Sequence, residues 1–254
     1  MIKPSLAEII EIRLLTCLIG NIAGLLFMVR NRSIFRINLR NLIPNILSSY
    51  SVYPRKTHKI SAAILLLFIA LHMANHLAGM IGQAAHIEVM KFIRPVYRNP
   101  FVEPVLLILL VNQVLSGLTM VVSGWRERAG VVAWLQAGSG LCIAAFLLLH
   151  VSSVLYGRLV LGLDTDFRFA AAGFHVAGYP LFFAPYYWLA IAAAFTHIGC
   201  AVHWSLRARS RSMANAVLTI FCSVGVIFGA FVIAALAGLL YTVDIPASYL
   251  RTYQ

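Results

Sequence analysis

The chain has 254 residues, 61% of them hydrophobic and 11% charged, with a mean hydropathy of +0.87 and a formal net charge of +12. A water-soluble domain needs more charged surface than that, so an α-helical membrane protein is expected and a soluble catalytic domain is excluded. The basic excess would suggest nucleic acid on a soluble protein; here it falls between apolar runs and reads as membrane orientation.

Residues 1–57 form the first expected unit, an N-terminal helix and a basic juxtamembrane segment. The apolar core LLTCLIGNIAGLLFMV, 14–29, is shorter than the roughly 20 residues of a full span. Glu8 and Glu11 precede it, Arg30 and Arg32 follow, and no small-residue cleavage site is evident. It reads as an uncleaved helix rather than a signal peptide. Residues 58–254 form the second unit. It holds five long apolar runs, near 60–82, 101–123, 131–157, 181–205 and 214–241. Lipid offers backbone groups no partners, so each run must be a helix. The expected fold is an all-α integral membrane helix bundle of five core transmembrane helices plus the N-terminal sixth.

The basic residues divide unevenly. The segment 30–59 carries Arg30, Arg32, Arg36, Arg40, Arg55, Lys56 and Lys59, and the loops 124–130 and 206–213 carry Arg126, Arg128, Arg207, Arg209 and Arg211. The opposite side has Lys91, Arg94, Arg98, Arg158, Arg168 and Arg251. Positive residues favour the cytoplasmic side, so 30–59 is expected in the cytoplasm or its equivalent, and the C-terminus opposite. Anionic lipid headgroups suit the basic side. Cys17, Cys142, Cys200 and Cys222 lie within apolar segments in no close pair, which argues against disulfides and a zinc site.

Two runs share a pattern. Ser61, Phe68 and His72 recur at the same spacing as Ser139, Phe146 and His150. Eleven residues are about three turns, or about 16 Å of rise, so each serine and its histidine share a face. An ionisable residue inside a span is costly and marks a functional candidate, although a lone histidine can also bond a neighbouring helix. Ala62 and Ala63 follow the first serine, and Gly138 and Gly140 flank the second. Small residues there admit a neighbouring helix or a porphyrin. The two runs are separated by one span, so they run parallel and His72 and His150 fall at similar depth. Two imidazoles at one level can hold a haem iron from both sides, giving an electron carrier with no open position. No CxxCH occurs, so the haem would be non-covalent b-type. His76, one turn after His72, is the alternative ligand. His203, beside Trp204, reads as interfacial.

The second and fourth core spans compare likewise: VNQVLSGL around Gln113 and FTHIGCAV around His197. These four segments resemble the membrane cytochrome b subunit of succinate dehydrogenases and fumarate reductases, over roughly 58–241. In that family the first and third helices read small residue, then histidine, as in Ser61-Ala62…His72 and Ser139-Gly140…His150. The fourth carries histidine and a small-residue turn, as in His197-Ile198-Gly199-Cys200-Ala201. The resemblance implies one haem b held by His72 and His150, with Ser61, Ser139, Gly140 and His197 lining cofactor sites. It also implies quinone as a partner and flavoprotein and iron–sulfur subunits on the basic side. The chain would be the non-catalytic electron-transfer subunit of an oxidoreductase, in a bacterial inner or a mitochondrial membrane. Two-haem members supply a histidine where this chain has Gln113, so a second haem is not expected. That leaves His197 as a relic, a quinone contact or an interhelical hydrogen bond.

Some positions have two readings. Glu103 suits quinone protonation or a helix N-terminus at headgroup level. Arg94, Arg98 and Arg158 suit haem propionates or lipid headgroups. Asp164 and Asp166 read as a solvated turn. Two other functional classes stay open: a haem-free structural or lipid-handling membrane protein with the cytochrome fold, and a small-molecule transporter. Transporters tend to break helices near the midplane, whereas the prolines here sit at span ends or in loops.

Overall fold

The structure, a computed structural model, describes residues 54–253. The expected 14–29 helix and residues 30–53 of the basic segment lie outside the described residues. Helix makes up 82% and no strand occurs among the described residues, so the fold is all-α.

The first helix, α1, is Pro54–Ile81. Proline suits its start, where the missing N–H is needed least. Gly82 separates it from α2, Gln83–Tyr97, which buries His86 and Met90. Reading along the sequence leaves 83–100 as a loop, because Glu88, Lys91 and Arg94 interrupt its apolar pattern. The helix forms because one face packs inward while Glu88 and Lys91 pair on the other at 2.8 Å. Asn99 then turns the chain. Its side chain accepts from the Phe101 N–H at 3.0 Å and its carbonyl from Glu103 N–H at 2.9 Å, opening α3, Val102–Ser123. Glu103 lies in the first turn of α3, where the helix dipole favours a negative charge.

Helix α4, Val131–Leu159, begins after Gly130, whose φ of 85° is a left-handed conformation that suits glycine. A short helix, α5, Phe167–Ala171, and a 3-10 turn, Ala172–His175, follow. The Asp166 carboxylate caps α5 by accepting from the Arg168 N–H at 2.8 Å. Helix α6 is Pro180–Leu206, and α7, Arg211–Leu236, starts with the Ser210 side chain accepting from Met213 N–H at 3.2 Å. The apolar run suggests that α7 continues to 241. It stops at Leu236 because Gly238 turns left-handed at φ 73° and the Leu239 N–H reaches back to the Ala234 oxygen at 2.8 Å. The chain closes with α8, Ala247–Leu250, and a second 3-10 turn.

Helices α1, α3, α4, α6 and α7 are each long and apolar enough to cross a membrane. At most a third of each one's apolar window is buried inside the protein. Leu67, Leu149 and Ile220 are more than half exposed. Such outward-facing apolar surface needs lipid rather than water around it. The protein is an integral membrane helix bundle.

Chain contacts divide the molecule into two compact units, up to Phe68 with Val96–Arg126, and Ile69–Pro95 with Glu127 onward. In the first, α1 and α3 are joined by a polar cluster. In the second, Phe167, Ala171, Phe174, Ile191, Val232 and Leu236 form a buried core. Helices α6 and α7 interlock closely there. A β-carbon on Gly199 would lie 2.7 Å from the Phe221 Cβ, and one on Gly225 would lie 2.6 Å from the Phe195 Cβ. Each glycine thus admits a phenylalanine of the other helix, the close backbone approach that membrane helices use in place of hydrophobic collapse.

Candidate functional site

Four histidines converge in the second unit. His72 and His76 lie one turn apart on α1, so they share a face, and their Nε2 atoms are 3.3 Å apart. His150, on α4, faces His72 with ring centroids 6.2 Å apart and planes at 64°. His86, on α2, lies 5.5 Å from the His76 ring. The two histidines of the repeated pattern are therefore brought together, with His76 against His72 and a fourth, His86, from the segment 83–100 that the sequence reading leaves as a loop.

The surroundings fix each ring differently. Phe146, one turn before His150, stacks on it at 4.8 Å and 16°. No hydrogen bond to His150 occurs among the described residues. The His86 ring is buried between His76 and Phe167, and its Nε2 accepts from Asn75 Nδ2 at 3.1 Å. Burial pushes the His86 pKa down to about 4, with the charges of His72 and Arg94 adding to it and Asp166 opposing it. His86 is therefore neutral at pH 7.

The pair geometry has a chemical meaning. Two imidazoles that share one metal ion, with metal–nitrogen bonds of about 2 Å and roughly 1 Å more to each ring centre, would have centroids up to about 6 Å apart. The 6.2 Å between His72 and His150 fits that arrangement. The His72 Nε2 atom is engaged by His76, and one nitrogen cannot keep that contact and bind iron together. Among the described residues no group of three or more His, Cys, Asp or Glu side chains could hold a bare metal ion. A bis-histidine haem asks only two ligands of the protein, since the porphyrin supplies the other four nitrogens. His72 and His150 are the residue type that would hold it, and His72 Nε2 would have to leave His76 to do so.

The remaining candidates sit elsewhere. Ser61 lies in the first unit, donating to Gln113 Oε1 at 2.5 Å and accepting from Asn112 Nδ2 at 3.0 Å. Gln113 Nε2 donates to His58 Nε2 at 2.9 Å, and His58 Nδ1 lies 2.9 Å from Ser116 Oγ. In the second unit His197 Nδ1 donates to the Gln136 backbone oxygen at 3.1 Å and lies 3.2 Å from Ser139 Oγ. A β-carbon on Gly140 would lie 3.1 Å from His197 Cε1. The space at Gly140 is thus filled by the His197 ring, while that at Gly138 stays open. His197 makes an interhelical hydrogen bond.

No protein-family model, curated protein or solved structure matches the chain.

Two features escape a reading along the sequence. One is His86 with Asn75, since nothing local marks a short charged helix as packing on a span. The other has a signal in plain view: Gln113-Val-Leu-Ser-Gly and Gln136-Ala-Gly-Ser-Gly are one pattern, Gln-x-x-Ser-Gly. Each receives a histidine ring against its Ser-Gly pair, His58 at Ser116-Gly117 and His197 at Ser139-Gly140. Aligning Ser61 with Ser139 hid that repeat.

Three further expectations are refined. Asp166 is buried rather than solvated, held by Arg168 Nη2 at 2.6 Å, because it caps α5. Asp164 pairs with Arg94 at 2.8 Å. His203 is buried edge-on to Trp204, where an interfacial position was expected. Trp204 covers it, with its own Nε1 donating to Gln136 Oε1 at 2.7 Å.

Proposed function

We propose that this chain is a membrane-embedded, b-type cytochrome-like subunit that carries electrons between a redox partner and quinone. His72 and His150 would hold one haem b. The observation that carries this reading is the spacing of the two rings, met by residues that the repeated Ser-Phe-His pattern singles out independently. The haem supplies reversible one-electron transfer at iron. The protein's part is position and environment. Phe146 fixes the plane of the His150 ring by stacking on it. His76 holds the His72 Nε2 atom and would have to release it for His72 to bind the haem. Neutral, buried His86 and Phe167 close the cluster on the α2–α5 side.

In this proposal the basic side faces the cytoplasm or its equivalent and the C-terminus lies opposite. Flavoprotein and iron–sulfur subunits would dock on the basic side. The saturated polar cluster around Gln113 and the hydrogen bonds on His197 support one haem rather than two. The other reading, a haem-free membrane protein, rests on that same saturation.

The test is an absorbance spectrum of the purified full chain, oxidised and then dithionite-reduced, after expression with haem supplied. The expected result is a Soret and α band of a low-spin b-type haem, at about one haem per chain. Their absence from folded protein overturns the proposal. His72→Ala and His150→Ala should each abolish the bis-histidine spectrum. His76→Ala and His197→Ala should retain it, because His76 touches only the His72 nitrogen that ligation would need free.

A further inference from the structure

Beyond the histidine cluster, the second unit contains an open groove of ≈ 740 Å³ between α4 and α6. Its floor is made of small residues, Gly138, Ala192 and Ala193. Beside the groove, the Gln136–Trp204 and Ser139–His197 contacts pin the two helices together. The groove persists because those pins set the helix spacing while the floor residues are too short to fill it. Its far end reaches Cys142, whose thiol lies 3.8 Å from the Leu189 backbone oxygen.

The dimensions and charge point to one occupant. From Val131 to Cys142 is eleven residues of helix, about 16 Å. That is roughly half of the ~30 Å hydrocarbon core, the depth of a single leaflet. A docked transmembrane helix would run the whole depth; an acyl chain from one leaflet ends at the middle. The mouth is at Gly130 and Trp134, beside the loop 124–130. There the Arg128 guanidinium lies over the Trp134 ring, 5.3 Å from its centroid. Beside the groove, the Arg207 guanidinium lies over the Trp204 ring, 4.7 Å from its centroid. Tryptophan favours the headgroup level, and arginine fixed above it presents donors to a phosphate. Glu127 is the single acidic residue of that loop, and the neighbouring loop adds Arg209 and Arg211. The groove lining itself carries no charge.

We propose that the α4–α6 groove is a binding site for an anionic phospholipid, with one acyl chain along Gly138 and Ala192 and the phosphate at Arg128 beside Trp134. This proposal needs no haem and stands or falls apart from the function proposed above. The test is native mass spectrometry of the full detergent-solubilised chain with dioleoylphosphatidylglycerol and dioleoylphosphatidylcholine. The expected result is tighter binding of the glycerol lipid by about fivefold, the factor one basic residue contributes near an anionic surface. Arg128→Gln should remove that preference, while Arg211→Gln, an equal charge loss in the neighbouring loop, should keep it. Gly138→Leu should weaken both lipids by filling the groove. The Arg128→Gln and Arg211→Gln readouts are ratios of two lipids on one variant, so a partly destabilised variant cannot imitate them. Equal binding of the two lipids by the unaltered chain overturns the proposal, as does a preference that survives Arg128→Gln. Displacement of phosphatidylglycerol by decylubiquinone, with quinone binding untouched by Arg128→Gln, would also overturn it and make the groove a quinone site.

Discussion

Individual polar side chains inside this protein are held by specific partners, and removing a partner has a calculable consequence. Asp166 is buried, caps α5 and accepts twice from the Arg168 guanidinium. Asp166→Ala should cost about 1 kcal/mol for the cap and little more for the ion pair, since the Arg168 side chain is a third exposed and water replaces its lost partner. Thermal unfolding in detergent measures it. His86 makes a pH prediction. Its folded pKa, about 4, lies below the unfolded value near 6.5. Between those two values the unfolded chain binds more protons, so stability falls as pH falls. The loss from pH 7 to below pH 4 is about 3 kcal/mol at most. Asn75, Asp166, Arg94 and the other cluster histidines surround this ring. Denaturation followed from pH 7 to 4 should show a shallower slope for His86→Asn than for the unaltered chain.

Helices here associate through shape more than through apolar burial, because lipid competes for every apolar face. Reciprocal Gly–Phe contacts make α6–α7 the clearest case. Gly225→Leu has no room against the Phe195 Cβ and should destabilise the protein by about 1–3 kcal/mol or force the helices apart. Gly138→Leu, which meets no atom within 4 Å, should leave the melting temperature in lipid-free detergent unchanged. Parallel thermal unfolding of the two variants separates them, and equal losses would mean that the α6–α7 contact is not a tight one. Length and hydropathy made the five spans legible to within a few residues. The stop of α7 at Leu236 was less so, because Gly238 ends it within an apolar run and hydropathy does not register a left-handed glycine. Helix α2 was not legible at all, since its charges mask a face that becomes apolar only against its neighbours.

For the whole molecule, the proposed orientation rests on the distribution of basic residues. It is checked by cysteine labelling in intact membranes from a chain lacking its native cysteines. Ser49→Cys should react from the basic side alone and Ser248→Cys from the opposite side alone; Ser248→Cys reacting only from the basic side reverses the orientation. What the sequence determined by itself was the class of solvent and the number of spans among residues 58–254. Both follow from the apolar content of long segments, which is additive along the chain and needs no partner. It also picked out His72 and His150, because an ionisable residue in an apolar run is conspicuous wherever that run ends up. Only the tertiary structure decided which side chains fill which spaces. Ser61 is engaged by Gln113, Gly140 is covered by His197, and His86 joins the histidine cluster from a segment with no apolar signature of its own. Those outcomes depend on distances between helices, and a helix's own residues do not specify what faces it.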